Sequence, residues 1–252
     1  MNNAEISTAS LLAASSLVMI AIAFSYRQKL KLEKEILISI LRTVVQLLAV
    51  GYLLEYIFGM ENPVFTTLLI LFMTFNAALN AAKRGEGIES GFAISFVSIL
   101  AGTAVTLSVL ILSKAIKYEP YQIIPVSGMV ISNAMVALGL CFRNITSQFR
   151  SRREEVEIKL SLGADMLTAS KGIIRDSIRT ALLPTIDSAK TMGIVALPGT
   201  MTGLILAGTS PVLAVKYQIM VVFMMFSTTS IAAFIACYLS YRKFFNERQQ
   251  LR

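Results

Sequence analysis

SGFAISFVSILAGTAVTLSVLILS, residues 90–113, contains no charged side chain. As an α-helix it would extend about 36 Å, against the roughly 30 Å of a bilayer's hydrocarbon core. Six more apolar stretches flank it, at about 6–25, 36–58, 64–82, 122–142, 191–208 and 214–240. Hydrophobic residues make up 55% of the 252-residue chain, so folding in water would leave much of this surface unburied. Where water is absent, every backbone amide and carbonyl needs a partner inside the protein, and a lone span finds those partners only as a helix. The stretches also lack the period-two alternation of a membrane barrel. The expected fold is an all-α integral membrane protein with about seven transmembrane helices.

Charge placement gives an expected orientation. Arg27, Lys29, Lys31 and Lys34 follow the first stretch, and Lys83 and Arg84 follow the third. Nine more, from Arg143 to Lys190, follow the fifth, and Arg242, Lys243, Arg248 and Arg252 form the tail. These alternate gaps hold 19 of the 23 Lys and Arg residues, whereas the opposite gaps hold Lys114, Lys117 and Lys216. The positive-inside rule then places the N-terminus outside and the C-terminus in the cytoplasm. It also accounts for the net charge of +8. No nucleic-acid partner is expected, because the basic residues are not interleaved with stacking aromatics. Residues 1–10 carry only Glu5 before the first apolar run, and the basic cluster comes after it. That order fits an uncleaved anchor better than a secretory signal. Cys141 and Cys237 fall near predicted cytoplasmic ends, where thiols stay reduced, so two unpaired packing residues are expected.

Residues 143–190 form a more polar segment between the fifth and sixth stretches, expected to be a cytoplasmic helical region. On helical spacing Arg150 would face Glu154, and Arg153 would face Glu157. From Asp165 to Leu183 the pattern is amphipathic. Leu167, Ile174 and Ile178 form a stripe with Ala181 nearby, and Lys171, Arg175 and Arg179 run beside it. Pro184 is expected to end this helix. Such a helix lies at a membrane surface or against a partner, so a solvated helix pair and a docking platform both remain open on physical grounds.

The run Glu157-Ile-Lys-Leu-Ser-Leu162-Gly163-Ala164 resembles the coupling segment of ABC importer permeases. That segment carries an acidic residue six positions before a Gly in the loop that docks onto the ATPase. The Pro those families carry after the Gly lies farther away here, at Pro184. A closer resemblance covers most of the chain. Arg42-Thr-Val-Val-Gln46, Asn76-Ala-Ala-Leu-Asn80, Asn133-Ala-Met-Val-Ala, Arg175-Asp176-Ser-Ile-Arg179, Leu183-Pro184-Thr-Ile-Asp187-Ser-Ala-Lys190, Leu197-Pro198-Gly199 and Lys216-Tyr217-Gln218 are similar to the FetB-type permeases. That family is associated with bacterial iron export, and its plant relatives with aluminium tolerance. The resemblance implies one transmembrane permease domain over 1–252, multi-pass in the inner (plasma) membrane, in contact with lipid. It implies a homodimer paired with a separate ABC ATPase subunit, with 143–190 as the coupling segment. Glu157, Leu162, Gly163, Ala164, Arg175 and Arg179 would carry ATPase coupling.

The residues agree that a partner is needed. The chain has no Gly-x-x-x-x-Gly-Lys-Ser/Thr loop to cradle ATP, so ATP and magnesium are expected on the partner and no cofactor on this chain. With no His at all, neither a Ser-His-Asp nor a Cys-His set is possible, and no enzymatic activity is expected.

Polar side chains inside apolar spans are costly, so each is a candidate for the translocation pathway. Arg42 would lie about 9 Å inside the second span, with Gln46 one turn on along the same face. Arg42 could equally snorkel to the headgroups. Asn76 and Asn80 are one turn apart in the third span, where interhelical hydrogen bonding, worth about 0.6 kcal/mol in membranes, is the plainer reading. Asn133 and Gln218 complete the set. Met129, Met135 and Met201 are weak thioether candidates for a metal, since Met more often fills core gaps. Ser98, Gly102 and Thr106 repeat every four residues, as do Gly199, Gly203 and Ala207, which suggests close helix packing. Pro198-Gly199 should break its helix, as happens at transporter substrate sites.

A bare ferrous ion would want carboxylate, imidazole or thiolate ligands. The spans offer an Arg and amides, with Glu55 near one end, which suits an anionic or neutral complex better. A secondary transporter or channel for a small anionic or chelated solute is the rival reading, although intramembrane relay carboxylates are scarce.

Overall fold

The structure, a computed structural model, describes residues 8–60, 62–85 and 88–252, without the side chains of 8, 9, 11, 12 and 60. Glu5 and the expected start of the first span at residue 6 lie outside the described residues. Nine α-helices are present among them: α1 Thr8–Arg27, α2 Glu33–Met60, α3 Pro63–Arg84, α4 Gly91–Leu112, α5 Pro120–Ser151, α6 Arg153–Ser161, α7 Met166–Thr191, α8 Gly199–Leu206 and α9 Pro211–Ser240. A 3₁₀ turn, Tyr241–Phe244, follows. The chain is an all-α membrane protein. Five helices, α2, α3, α4, α5 and α9, are each long and apolar enough to cross a bilayer.

Helix starts follow local chemistry. Asn62 caps α3 by accepting from the Val64 amide at 2.9 Å, with Pro63 opening the helix. Ser210 caps α9 in the same way, accepting from the Leu213 amide at 3.4 Å ahead of Pro211. Side-chain oxygens thus take up amides that have no partner within the helix, at positions where a Pro costs nothing.

The chain divides into two compact units, residues 1–60 and 61–252. The first holds α1 and α2. Ser25 closes their link: its hydroxyl donates to Glu33 Oε1 at 2.9 Å and accepts from the Leu32 amide at 3.2 Å.

The second unit is built around α5, whose Ile123, Val126, Val130, Leu138, Phe142 and Ile145 are fully buried. α3 and α9 run parallel to α5, while α4 and α7 run antiparallel to them. The pairings that fix this are Gly128 with Met73 and Gly85 with Phe142 for α3, Asn133 beside Met225 and Cys141 with Cys237 for α9, Gly102 with Ala232 and Thr106 with Ser227 for α4, and Ser177 with Asn144 and Thr185 beside Asn133 for α7. Among lipid tails, helices associate by close packing and hydrogen bonds rather than by expelling water. A Cβ on Gly102 would come within 3.0 Å of the Thr228 carbonyl oxygen, so α4 and α9 touch backbone to backbone. Thr106 bonds Thr228 at 2.8 Å and Ser227 at 3.2 Å beside it. The packing reading of Ser98, Gly102 and Thr106 therefore describes a real seam. That of Gly199 and Gly203 does not, since neither has a neighbour within 4 Å of a would-be Cβ.

Three expectations are corrected. The stretch 191–208 is not a continuous spanning helix. Gly193 adopts φ +83° in the irregular link that follows α7, and α8, with 8 residues, reaches only about 12 Å. α7 does not stop at Pro184 but runs on to Thr191. Its second half packs antiparallel along α5 and α9. That half also carries Asp187, exposed and ion-paired with Lys190 at 3.1 Å. Finally, Cys141 and Cys237 are joined as a disulfide, because α5 and α9 run side by side at that level.

Candidate functional site

The break after α7 frames a cavity. The chain leaves α7 at Met192, turns through Gly193 (φ +83°) and re-enters helix at Gly199, with Pro198 as the residue before it. Pro198 has no amide hydrogen to offer, so it fits at a boundary where a helix must begin anew. The cavity beneath this link measures about 370 Å³ and is lined by Ala189, Met192, Gly193, Leu197, Pro198, Met201, Val215, Gln218, Ile219, Val222 and Phe223. It is apolar except for one carboxamide. Gln218 is 6% exposed, and its Oε1 accepts from the Thr200 hydroxyl at 2.5 Å while its Nε2 donates to the Met192 sulfur at 3.4 Å. One buried amide on α9 therefore holds the chain on both sides of the break.

About one turn down α7 a smaller cavity of about 90 Å³ opens among Asn133, Val136, Ala137, Ala181, Pro184, Thr185, Ser188 and Met225. Pro184 leaves the Thr180 carbonyl without its helical partner at this point, which adds an acceptor to the hydroxyls of Thr185 and Ser188. The Asn133 amide is turned back onto the Met129 carbonyl at 2.7 Å.

Of the six pathway candidates, the structure gathers Asn133 and Gln218 along the end of α7. Asn76 and Asn80 are exposed on α3, each donating to the carbonyl four residues earlier, at 3.0 and 2.8 Å. Arg42 and Gln46 are exposed on α2, in the other unit. Met201 lines the larger cavity, while Met129 and Met135 are half-buried on α5 outside its lining. Met192, Thr200, Thr185 and Ser188 were not singled out from the sequence. Their polar or thioether character in a run beside Pro184 and Pro198 was the available cue.

At the other end of α7 lies the turn 162–164. The Gly163 amide donates to the Leu160 carbonyl at 2.9 Å and the Ala164 amide to the Lys159 carbonyl at 3.0 Å, with Gly163 at φ +91°. This is a Schellman closure, which needs a left-handed residue and so favours Gly. Asp165 then caps α7, accepting from the Thr168 amide at 3.3 Å. Leu162 stands 82% exposed at the tip and Ile158, one turn earlier, 60% exposed. Arg175 and Arg179 are exposed on α7.

The ion pairs differ from those expected. Arg153 does meet Glu157, at 2.8 Å. Arg150 and Glu154 belong to different helices, because α5 ends at Ser151, and Arg152 takes over. Its guanidinium forks onto Glu155 at 2.7 and 2.9 Å and reaches Asp176 of α7 at 3.2 Å. A Cβ on Gly172 would meet the Arg152 Nη2 at 3.2 Å, so that Gly makes room for the fork. Lys159 adds a contact to Glu155 at 2.6 Å. Hydrogen bonds from Arg152 and then Lys159 hold the Glu155 carboxyl down at about 2. A depressed carboxyl contributes stability that is complete above its ordinary value of 4.5 and is lost as pH falls toward 2. The unfolding midpoint of wild type should therefore exceed that of Glu155→Gln by a constant margin above about pH 5, and the margin should shrink below that and vanish only as pH falls below about 2. Circular-dichroism melts in detergent would check this. A margin that persists at low pH would contradict it.

The profile of the UPF0014 family, described as an uncharacterised protein family, matches residues 8–245. The chain is 53% identical over 251 residues to "Probable iron export permease protein FetB" of Escherichia coli (strain K12), covering 100% of this chain and 97% of that protein. It is 38% identical to "UPF0014 membrane protein STAR2" of Oryza sativa subsp. japonica, covering 95% and 84%. It is 35% identical to "Protein ALUMINUM SENSITIVE 3" of Arabidopsis thaliana, covering 95% and 88%. No solved structure matches.

Proposed function

This chain belongs to the UPF0014 family of membrane proteins, and on that premise we propose that it is the permease subunit of an ABC transporter for iron export. A separate ATPase subunit drives it, and the working unit is a homodimer with its basic ends in the cytoplasm. One observation carries the reading. α7, about 39 Å long, starts at the exposed Leu162–Gly163 turn and ends at the broken segment over Gln218. A displacement imposed on the turn by a partner is thereby delivered to the cavity along one continuous helix, with Pro184 as the point at which it can bend. Arg152, ion-paired with Glu155 of α6 and Asp176 of α7, links the two helices on either side of the turn.

The cargo is iron or an iron complex, by analogy with the printed name of the Escherichia coli relative. The cavity lining supplies an amide, thioethers and apolar surface. Asp187 and Lys190 stand on the same stretch of α7 as a linked pair of opposite charge. This balance favours a neutral or chelated species over a bare cation, which would need several hard or imidazole ligands.

The test is reconstitution. The chain should co-purify with an ABC ATPase from its own cells, and proteoliposomes holding both should move iron only with ATP outside. Iron movement without any ATPase, or no ATPase recovered from mild detergent, would favour the secondary-transporter reading.

A further inference from the structure

A third cavity lies away from the two beside the end of α7, where α3 ends against α5. It measures about 670 Å³, and its lining includes Lys83 and Arg84 from α3 and Arg143, Thr146 and Arg150 from α5. Among the described residues none of the four cations makes an ion pair or a side-chain hydrogen bond, and no carboxylate lines the space. The neighbouring Glu89 is already taken by Arg252. Thr146 adds an independent sign: its hydroxyl oxygen is buried and has no partner, an omission that costs about 1–3 kcal/mol unless something outside the chain fills it.

Depth decides what kind of anion fits. Phe142 abuts Gly85, just past the end of α3, so α5 projects beyond α3 from Arg143 onward and Arg150 stands about 10 Å farther out. The cations therefore sit where an apolar span gives way to water. Phe72, Phe75, Leu79 and Lys83 form one exposed stripe down α3, at spacings of three and four residues. An apolar track ending in a basic cavity, with no carboxylate in its lining among the described residues, matches an amphiphile with acyl chains and a negatively charged head. Basic pockets between spans are the usual form of such recognition.

We propose that this cavity binds the phosphate headgroup of an anionic phospholipid, with Lys83 and Arg84 at the headgroup level, Arg143 and Arg150 above it, and the Thr146 hydroxyl donating to a phosphate oxygen. The proposal is independent of the cargo and of the ATPase.

The experiment titrates purified protein in neutral detergent with cardiolipin, phosphatidylglycerol, phosphatidylcholine or inorganic phosphate, reading the unfolding midpoint and, by native mass spectrometry, the lipid retained. The two anionic lipids should raise the midpoint saturably, while phosphatidylcholine and inorganic phosphate should not. The double variant Arg143→Gln/Arg150→Gln alters exposed side chains, so its lipid-free midpoint should match wild type. Its apparent affinity for anionic lipid should fall by about tenfold or more. Lys114→Gln/Lys117→Gln, at the other end of the bundle, should behave as wild type. Equal responses from both double variants would overturn the site. An equal effect of inorganic phosphate would make it a free-anion site and overturn the lipid assignment. Loss of a co-purifying ATPase from the Arg143/Arg150 variant with lipid response intact would assign the cluster to a protein partner instead.

Discussion

Leu162→Asp is expected to weaken association with the ATPase subunit by at least about two orders of magnitude while the chain still folds and inserts. Leu162 is 82% exposed on the chain alone, so its replacement removes no internal packing. In a docked complex the same side chain would fill a pocket, and burying a Leu contributes about 1.5–3 kcal/mol. The aspartate would in addition carry an unpaired charge into that pocket, and each 1.4 kcal/mol is about tenfold in affinity. Gly163→Leu should act differently. Nothing lies within 4 Å of a Cβ there, so the new side chain does not clash. The backbone at φ +91° instead resists an L-residue by about 1–2 kcal/mol, which loosens the turn. The complex should then form with modest loss while ATP hydrolysis is no longer matched to transport. Co-purification, ATPase rate and ATP-driven iron movement, measured together on both variants, separate the cases. Wild-type association in Leu162→Asp would remove this turn from the interface.

Much of this machinery could be read from the chain, and the parts that could not share a cause. Gly163 was legible because a left-handed closure has a local chemical signature, and Pro198-Gly199 was legible because a Pro marks a helix boundary. Of the basic residues of the second unit expected on one side, Lys83, Arg84, Arg143, Arg150 and Arg153 gather at one end, where Phe142 meets Gly85 and Arg153 bonds the Arg252 carbonyl at 3.1 Å, whereas Lys190 lies in the last turn of α7, at its far end. What stayed hidden depended on partners far away in sequence. α7 continues past Pro184 because α5 and α9 support its second half, and no local rule reports that support. Arg150 and Glu154 have ideal spacing, yet α5 stops at Ser151 and separates them. Cys141 and Cys237 meet because two helices 96 residues apart in register run side by side. The six polar residues picked as one pathway were chosen for being polar in apolar spans. That criterion finds costly residues, but it does not say which face each one shares.

Gln218 is the residue on which the cavity reading stands. Its carboxamide is 6% exposed and links Thr200 beyond the break to Met192 before it. Gln218→Leu fills nearly the same volume and forms neither bond. The Thr200 hydroxyl is then left facing an apolar wall, at a cost of about 1–3 kcal/mol. That is enough to shift the position of α8 by five- to a hundredfold between two states. Transport should fall by one to two orders of magnitude by the same arithmetic, while ATPase association stays at the wild-type level, because the turn proposed for docking lies at the far end of α7. Gln218→Asn keeps the chemistry but shortens the reach, so it should recover little. Thr200→Val removes the donor and leaves the buried Gln218 Oε1 unpaired, so it should be costly in its turn, whereas deleting both ends of the hydrogen bond costs less than deleting one. The double variant Gln218→Leu/Thr200→Val should therefore transport better than Gln218→Leu alone. If it transports worse, with losses that simply add, the two residues act separately and the amide does not bridge the break.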